Sequence, residues 1–145
     1  MNSHIVLATR FGAESEAPAA EARRLASLLG GGITVVYVAT ELTSLAAAGG
    51  EAGIDPAAER ASQIENIQQQ LREFVATHFP DERVAVRVLE GDVASSTASI
   101  AAELSAAYLV VGTRGRGSLA RLVLGDTTQS ILQHTPCPVV VVPLR

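Results

Sequence analysis

Five short runs rich in β-branched residues punctuate the chain: Ile5–Thr9, Ile33–Val38, Val84–Leu89, Leu109–Val111 with Tyr108 in front, and Val139–Val142. Most are continuously apolar, as in strands buried on both faces of a parallel sheet. The third differs. Val84, Val86 and Val88 alternate with Ala85 and Arg87, which predicts one more exposed face. Between the runs the apolar period lengthens to that of helices. Glu16–Leu29 carries Ala22, Leu25, Ala26, Leu28 and Leu29 on roughly one side and stops at three glycines from Gly30. Pro56–Phe79 opens with Asp55 as N-cap and Pro56 at the first helical position, and Ile64, Ile67, Leu71, Phe74 and Val75 form its stripe. Ser96–Ala107 presents Ile100, Ala101, Leu104 and Ala107 inward, and Thr127–Gln133 carries Ile131 and Leu132.

The order β-α-β-α-β-α-β-α-β implies right-handed crossovers and a doubly wound parallel α/β sheet with helices on both faces. A length of 145 residues fits one domain, residues 1–145, with a sizeable core. One connection is anomalous. Ala39–Ile54 is a glycine- and alanine-rich loop of about 16 residues, longer than the usual βα connection. It follows the second strand, at the edge where ligands of such folds bind. It reads either as an insertion or as a lid.

Composition narrows the chemistry. The net charge of −4 argues against nucleic acid, which wants a basic face. No apolar run approaches the roughly 20 residues of a membrane span, and no signal peptide is evident at the N-terminus. A single cysteine forbids an internal disulfide. With three histidines beside it, it leaves no metal-ligand cluster. A cytoplasmic location is the natural reading. All 11 basic residues are arginine, so Schiff-base lysine chemistry is excluded. No paired carboxylates, Ser–His–Asp order or nucleophile elbow occurs, so no catalytic residue is assigned. Cys137, between two prolines, and His134, at a helix end, read as packing and as a dipole-matched terminus.

The informative segment leaves the fourth strand and runs from Gly112 to Gln129. Its glycines permit tight turns and expose N–H groups, and the helix after Gly125 aims its positive end at the same space. Arg114, Arg116 and Arg121 put 3 of the 11 basic groups in this loop of an acidic chain, with Arg114 and Arg116 placed to steer an anion.

The spacing Gly112-x2-Gly115-x9-Gly125, followed by a small polar residue, resembles the nucleotide-binding motif of the universal stress protein family. Ile5–Thr9, Glu90-Gly91-Asp92, the Leu109–Gly117 segment and the Thr135–Val142 segment resemble that family's first strand, third strand–helix turn and C-terminal block. The resemblance covers essentially the whole chain. It implies a five-stranded sheet of order 3-2-1-4-5, a stress-response role through binding and regulation, and in many members bound ATP or AMP. Carried over by position, the nucleotide would meet Ala8, Thr9, Arg10 and Val38, with its phosphates at Gly112, Gly115, Gly125, Asp126, Thr127 and Thr128. The resemblance also implies a homodimer through the last strand, with Val139, Val140, Val141 and Val142 as the edge. It names no protein partner beyond a second copy.

Two positions depart from the family pattern, and both change charge. Arg10 stands where an Asp commonly follows the first strand. Asp126 stands where Ser or Thr commonly follows the last motif glycine. Asp126 is a competent N-cap, with Gln129 placed to complete a capping box, yet it repels a phosphate. The expectation is an Arg10–Asp126 ion pair across the cleft. It would either occlude the cleft, or neutralise Asp126 while Arg10 still touches a phosphate. A genuine ATP or AMP binder with slow hydrolysis and an ATP-independent interaction module are the alternative readings.

Overall fold

The computed structural model describes residues 2–11, 15–40, 55–80, 83–113 and 126–143. Five parallel strands form one sheet in the order β3-β2-β1-β4-β5. They are β1 (Ile5–Ala8), β2 (Ile33–Ala39), β3 (Val84–Glu90), β4 (Tyr108–Thr113) and β5 (Val139–Pro143). The helices are α1 (Glu16–Leu29), α2 (Pro56–His78), α3 (Val93–Glu103) and α4 (Asp126–His134). The element order and parallel pairing are those expected from the sequence pattern, and the strand order is the one the family resemblance implies.

Alternate residues of the central strands enter two separate cores, as the pleat requires. Ile5, Leu7, Val35 and Val110 pack with Ala19, Ala22 and Ala26 of α1 and with Ile67, Leu71 and Phe74 of α2. Val6, Val36, Leu109 and Val111 pack with Ala94, Ile100 and Ala101 of α3 and Ile131 of α4. The sheet is therefore covered on both sides. This explains why β1, β2 and β4 read as unbroken apolar runs. β3 is an edge strand, with Ala85 and Arg87 exposed between half-buried valines, matching its alternation.

Several expected details are corrected. On α1 the buried set is Pro18, Ala19, Ala22 and Ala26, while Leu28 is 70% and Leu29 39% exposed. The small alanine face lets the helix lie close to the sheet and turns the last leucines away. On α4, Ile131 is buried and Leu132 is exposed. The third helix spans Val93–Glu103 rather than Ser96–Ala107. Asp92 caps it, its side chain accepting the Ser95 N–H at 2.9 Å. It ends in a Schellman closure, with Ser105 N–H donating to Ala102 O and Ala106 N–H to Ala101 O, and Ser105 at φ 49°. Ala106 rather than Ala107 is then buried, and Ala107 N–H donates to His4 O, leading into β4.

The turn from α1 into β2 fixes the distal end of the sheet. Gly30 adopts φ 67° and closes the helix. At Gly31 a Cβ would lie 1.7 Å from the Ser3 carbonyl oxygen and 2.9 Å from Ser3 Cβ. Gly31→Ala must therefore displace the chain leading into β1, with an expected destabilisation of about 1–3 kcal/mol, the usual range for overpacking. Urea denaturation of the variant, compared with the parent, checks this.

Candidate functional site

β1 lies between β2 and β4. The helix after β1 covers one face of the sheet, and the helix after β4 covers the other. The connections leaving the carboxyl ends of β1 and β4 thus diverge, which opens a crevice at the topological switch point. A cleft of about 220 Å³ occupies this place. Its lining joins the end of β1 (Ala8, Thr9, Arg10), β2 (Val36, Val38), the first residue of α3 (Val93), the end of β4 (Val111, Gly112) and α4 (Asp126, Thr127, Thr128, Ile131).

Of the residues singled out from the sequence, Ala8, Thr9, Arg10, Val38, Gly112, Asp126, Thr127 and Thr128 share this one cleft. Gly115, Gly125, Arg114 and Arg116 lie outside the described residues, as does most of the 39–54 loop. The apolar walls Val36, Val93, Val111 and Ile131 were not singled out as site residues. Val36, Val111 and Ile131 sat within recognised apolar stretches, and nothing in the spacing separates a core valine from one that also faces a cleft.

The walls are built locally. Thr9, 8% exposed, donates its backbone N–H to Val36 O at 3.0 Å and its hydroxyl to Ser15 Oγ at 3.1 Å. The same Thr9 hydroxyl accepts the Phe11 N–H at 3.3 Å. Phe11 has φ 65°. That left-handed conformation costs a residue other than glycine on the order of 1–2 kcal/mol. The Phe11 ring stacks on Tyr37 with centroids 4.9 Å apart and planes 9° apart, and meets Phe74 edge-on at 6.3 Å. Such aromatic pairs contribute about 0.5–1.5 kcal/mol each beyond burial, enough to offset the strain. Arg10 lies between these two anchored residues.

α4 begins at Asp126 itself, so its N-cap position falls on residue 125, outside the described residues. Asp126 and Thr127 are exposed. Thr128 is 7% exposed, lines the cleft, and has no hydrogen-bond partner for its hydroxyl among the described residues. The N-termini of α3 and α4 both reach the cleft and add favourable potential for an anion.

The expected Arg10–Asp126 ion pair is not formed. Ion pairs among the described residues join Arg24 to Glu21, Arg60 to Glu90 and Arg87 to Glu103. Arg10 and Asp126 are both exposed and line the same cleft without bonding to each other. Sequence placed both at one sheet edge correctly. It could not fix their separation, because solvation competes well with a single exposed ion pair.

At the N-terminus of α3, Asp92 Oδ2 accepts the Ser95 N–H at 2.9 Å and the Ser95 hydroxyl at 3.1 Å. These bonds, with a smaller contribution from the His134 charge, hold its carboxyl below the ordinary Asp range. A depressed folded pKa means that the stabilisation is complete above the unfolded value, about 3.9. It is lost as pH falls through the lower folded value. Asp92→Asn keeps a capping side chain but removes the titration. Between pH 7 and pH 2.5 its urea midpoint is expected to fall less than that of the parent.

Cys137 packs against the α3–α4 core. Its N–H and carbonyl both bond the Thr135 hydroxyl, at 3.2 Å and 2.6 Å. His4 Nε2 bonds Thr34 Oγ1 at 2.7 Å, and burial pushes its pKa down. Among the described residues no group of three or more His, Cys, Asp or Glu could hold a metal ion, and no helix is long and apolar enough to cross a membrane.

The universal stress protein family model matches residues 1–143. A universal stress protein of Mycolicibacterium smegmatis is 33% identical over 144 residues, covering 95% of this chain and 47% of that protein. The chain thus spans about half the length of this relative. Among solved structures, hypothetical protein MJ0577, a structural-genomics test case for assigning biochemical function, aligns with TM-score 0.76 at 16% identity, over 98% of this chain and 96% of that one. The Archaeoglobus fulgidus universal stress protein in complex with dAMP aligns with TM-score 0.66 at 18% identity, over 97% and 96%.

Proposed function

The chain belongs to the universal stress protein family, and from that premise we propose that its switch-point cleft binds an adenine nucleotide. The protein acts in stress response by binding and regulation rather than by turnover. The observation that carries this reading is the convergence of Ala8, Thr9, Arg10, Val38, Gly112, Asp126, Thr127 and Thr128 on one open cleft. A fold neighbour in complex with dAMP supports the ligand class. The apolar floor of Val36, Val38, Val93 and Val111 suits a flat base. Gly112 and the start of α4 suit phosphate.

The phosphate end is charge-balanced. Arg10 supplies a cation and Asp126 an anion, and because they do not pair, both remain free to act on a ligand. Without the ion pair, neither occlusion nor neutralisation of Asp126 through a bond to Arg10 applies, and Arg10 offers its charge directly to a ligand. The reading favours a ligand with few phosphate charges, AMP ahead of ATP. Calorimetry with adenosine, AMP and ATP tests it. AMP should bind measurably and at least as tightly as ATP. Absence of heat from all three ligands, with no adenine nucleotide released on denaturing the purified protein, would leave the interaction module in its place.

The proposal further takes residues 1–145 as one cytoplasmic domain that pairs with a second copy through β5. Val139 to Val142 are only half-buried at the sheet edge, with exposed Leu132 on α4, the helix of the adjoining core. An apolar strand in that state is a template for pairing. Sedimentation equilibrium should return twice the 15.0 kDa of the chain. A monomer at micromolar concentration would remove this part of the proposal.

A further inference from the structure

Phe11 combines three features that core packing alone does not require together. It holds a left-handed backbone conformation that bulky residues avoid. Its ring is clamped between Tyr37 of β2 and Phe74 of α2. Its N–H is bonded to the hydroxyl of Thr9, which is itself tied to Ser15 and β2. The neighbour enclosed by these restraints is Arg10, whose side chain is exposed, lines the cleft and forms no ion pair with a described residue. A long cationic side chain without a partner gains directional value only if its backbone origin is fixed.

We infer that Phe11 is a positioning residue: its aromatic clamp holds the strained turn that directs Arg10 to the phosphate end of the cleft. This rests on the nucleotide reading and names what sets its charge preference. Strain that persists because surrounding contacts over-determine it is characteristic of functional turns. Glycine at position 11 would accept the same φ without strain and would lose the clamp. Tyrosine would retain both the strain and the clamp. The pair of substitutions therefore separates the role of the ring from the mere shape of the turn.

The experiment compares the parent chain, Phe11→Gly, Phe11→Tyr, Arg10→Gln and the double variant Arg10→Gln/Phe11→Gly by calorimetry with adenosine and AMP. The quantity read is the gain in affinity from adenosine to AMP. Arg10→Gln is expected to reduce that gain about tenfold, the loss of one charge-assisted phosphate contact. Phe11→Gly should reduce it by a similar factor while leaving adenosine affinity unchanged. Phe11→Tyr should keep the parent's gain, and the double variant should lose no more than Arg10→Gln alone. A full gain in Phe11→Gly, or losses that multiply in the double variant, would overturn the inference.

If the parent binds neither ligand, the nucleotide reading is what fails, and the backbone decides the role of Phe11. The order parameter of the Arg10 amide should fall from about 0.85 to below about 0.6 in Phe11→Gly and stay high in Phe11→Tyr. An unchanged value in Phe11→Gly would overturn the inference by itself.

Discussion

Replacing Asp126 by asparagine is expected to tighten ATP binding by between about tenfold and a thousandfold. Asp126 is the first residue of α4, exposed, and in the wall of the cleft beside Gly112 and Thr128. Phosphates drawn to that helix N-terminus would approach its carboxylate. At 4 Å a pair of like charges costs about 1 kcal/mol in bulk water and about 4 kcal/mol at an effective dielectric of 20. Each 1.4 kcal/mol is about tenfold in affinity. The exposure of Asp126 favours the lower value per charge, and the several charges of a triphosphate raise the sum. Asparagine gives up only the carboxylate's interaction with the helix dipole, about 0.3–1 kcal/mol of stability, so the helix start should persist. The gain should be smaller for AMP and should shrink as salt is added. Calorimetry at two ionic strengths measures all of this. Equal ATP affinity in parent and variant would show that Asp126 does not face the phosphates.

The second large effect concerns stability. Phe79, the residue that ends α2, is 1% exposed and heads the fully buried side chains by volume. It packs into the core with Leu71 and Phe74 and with the β1 and β2 residues facing α1. Phe79→Ala is expected to cost about 3–5 kcal/mol, because the ring leaves a cavity that the surrounding strands cannot close. Against a total stability of ordinarily about 5–15 kcal/mol, this is a large fraction. The melting temperature should fall by about 10–20 °C. Urea denaturation should show a lower midpoint with the slope unchanged. By contrast, Leu28→Ala on the exposed end of α1 should change stability by less than about 0.5 kcal/mol. A comparable loss at both positions would contradict the assignment of the two cores.

The parts of the fold that could be read from sequence are those set by local patterning. The unbroken runs of β1, β2 and β4 announced strands covered on both faces, and the alternation of Val84, Val86 and Val88 announced the exposed edge at β3. Asp55 and Pro56 marked the start of α2 because cap chemistry is written in adjacent residues. The end of α3 was missed for the opposite reason. Its apolar pattern runs on through Ala106 and Ala107, but the chain turns at Ser105, in a conformation that serine seldom adopts. On α1, Leu28 and Leu29 fit a helical stripe. Only the close approach of Ala19, Ala22 and Ala26 to the sheet decides that they face water.

At the site, spacing and resemblance together gathered Ala8, Thr9, Val38, Gly112 and Thr128 from four elements, because topology alone brings strand ends and helix starts to one edge. They failed where two side chains had to meet. Whether Arg10 reaches Asp126 depends on rotamers and solvation, and the Phe11 clamp that restrains Arg10 draws on Tyr37 and Phe74, 26 and 63 positions further along. No local pattern encodes that stack.

The central claim, that an adenine nucleotide occupies the switch-point cleft, is tested most directly by an NMR titration of the isotopically labelled chain with AMP. Saturable shifts are expected of the Thr9, Gly112 and Thr128 amides and of the Val36 and Val38 methyl groups, all in the cleft lining. The amides of Arg87 on β3 and Ser99 on α3, which line a separate groove, should stay still. Saturation without movement of the cleft signals, or shifts concentrated at Arg87 and Ser99, would contradict it.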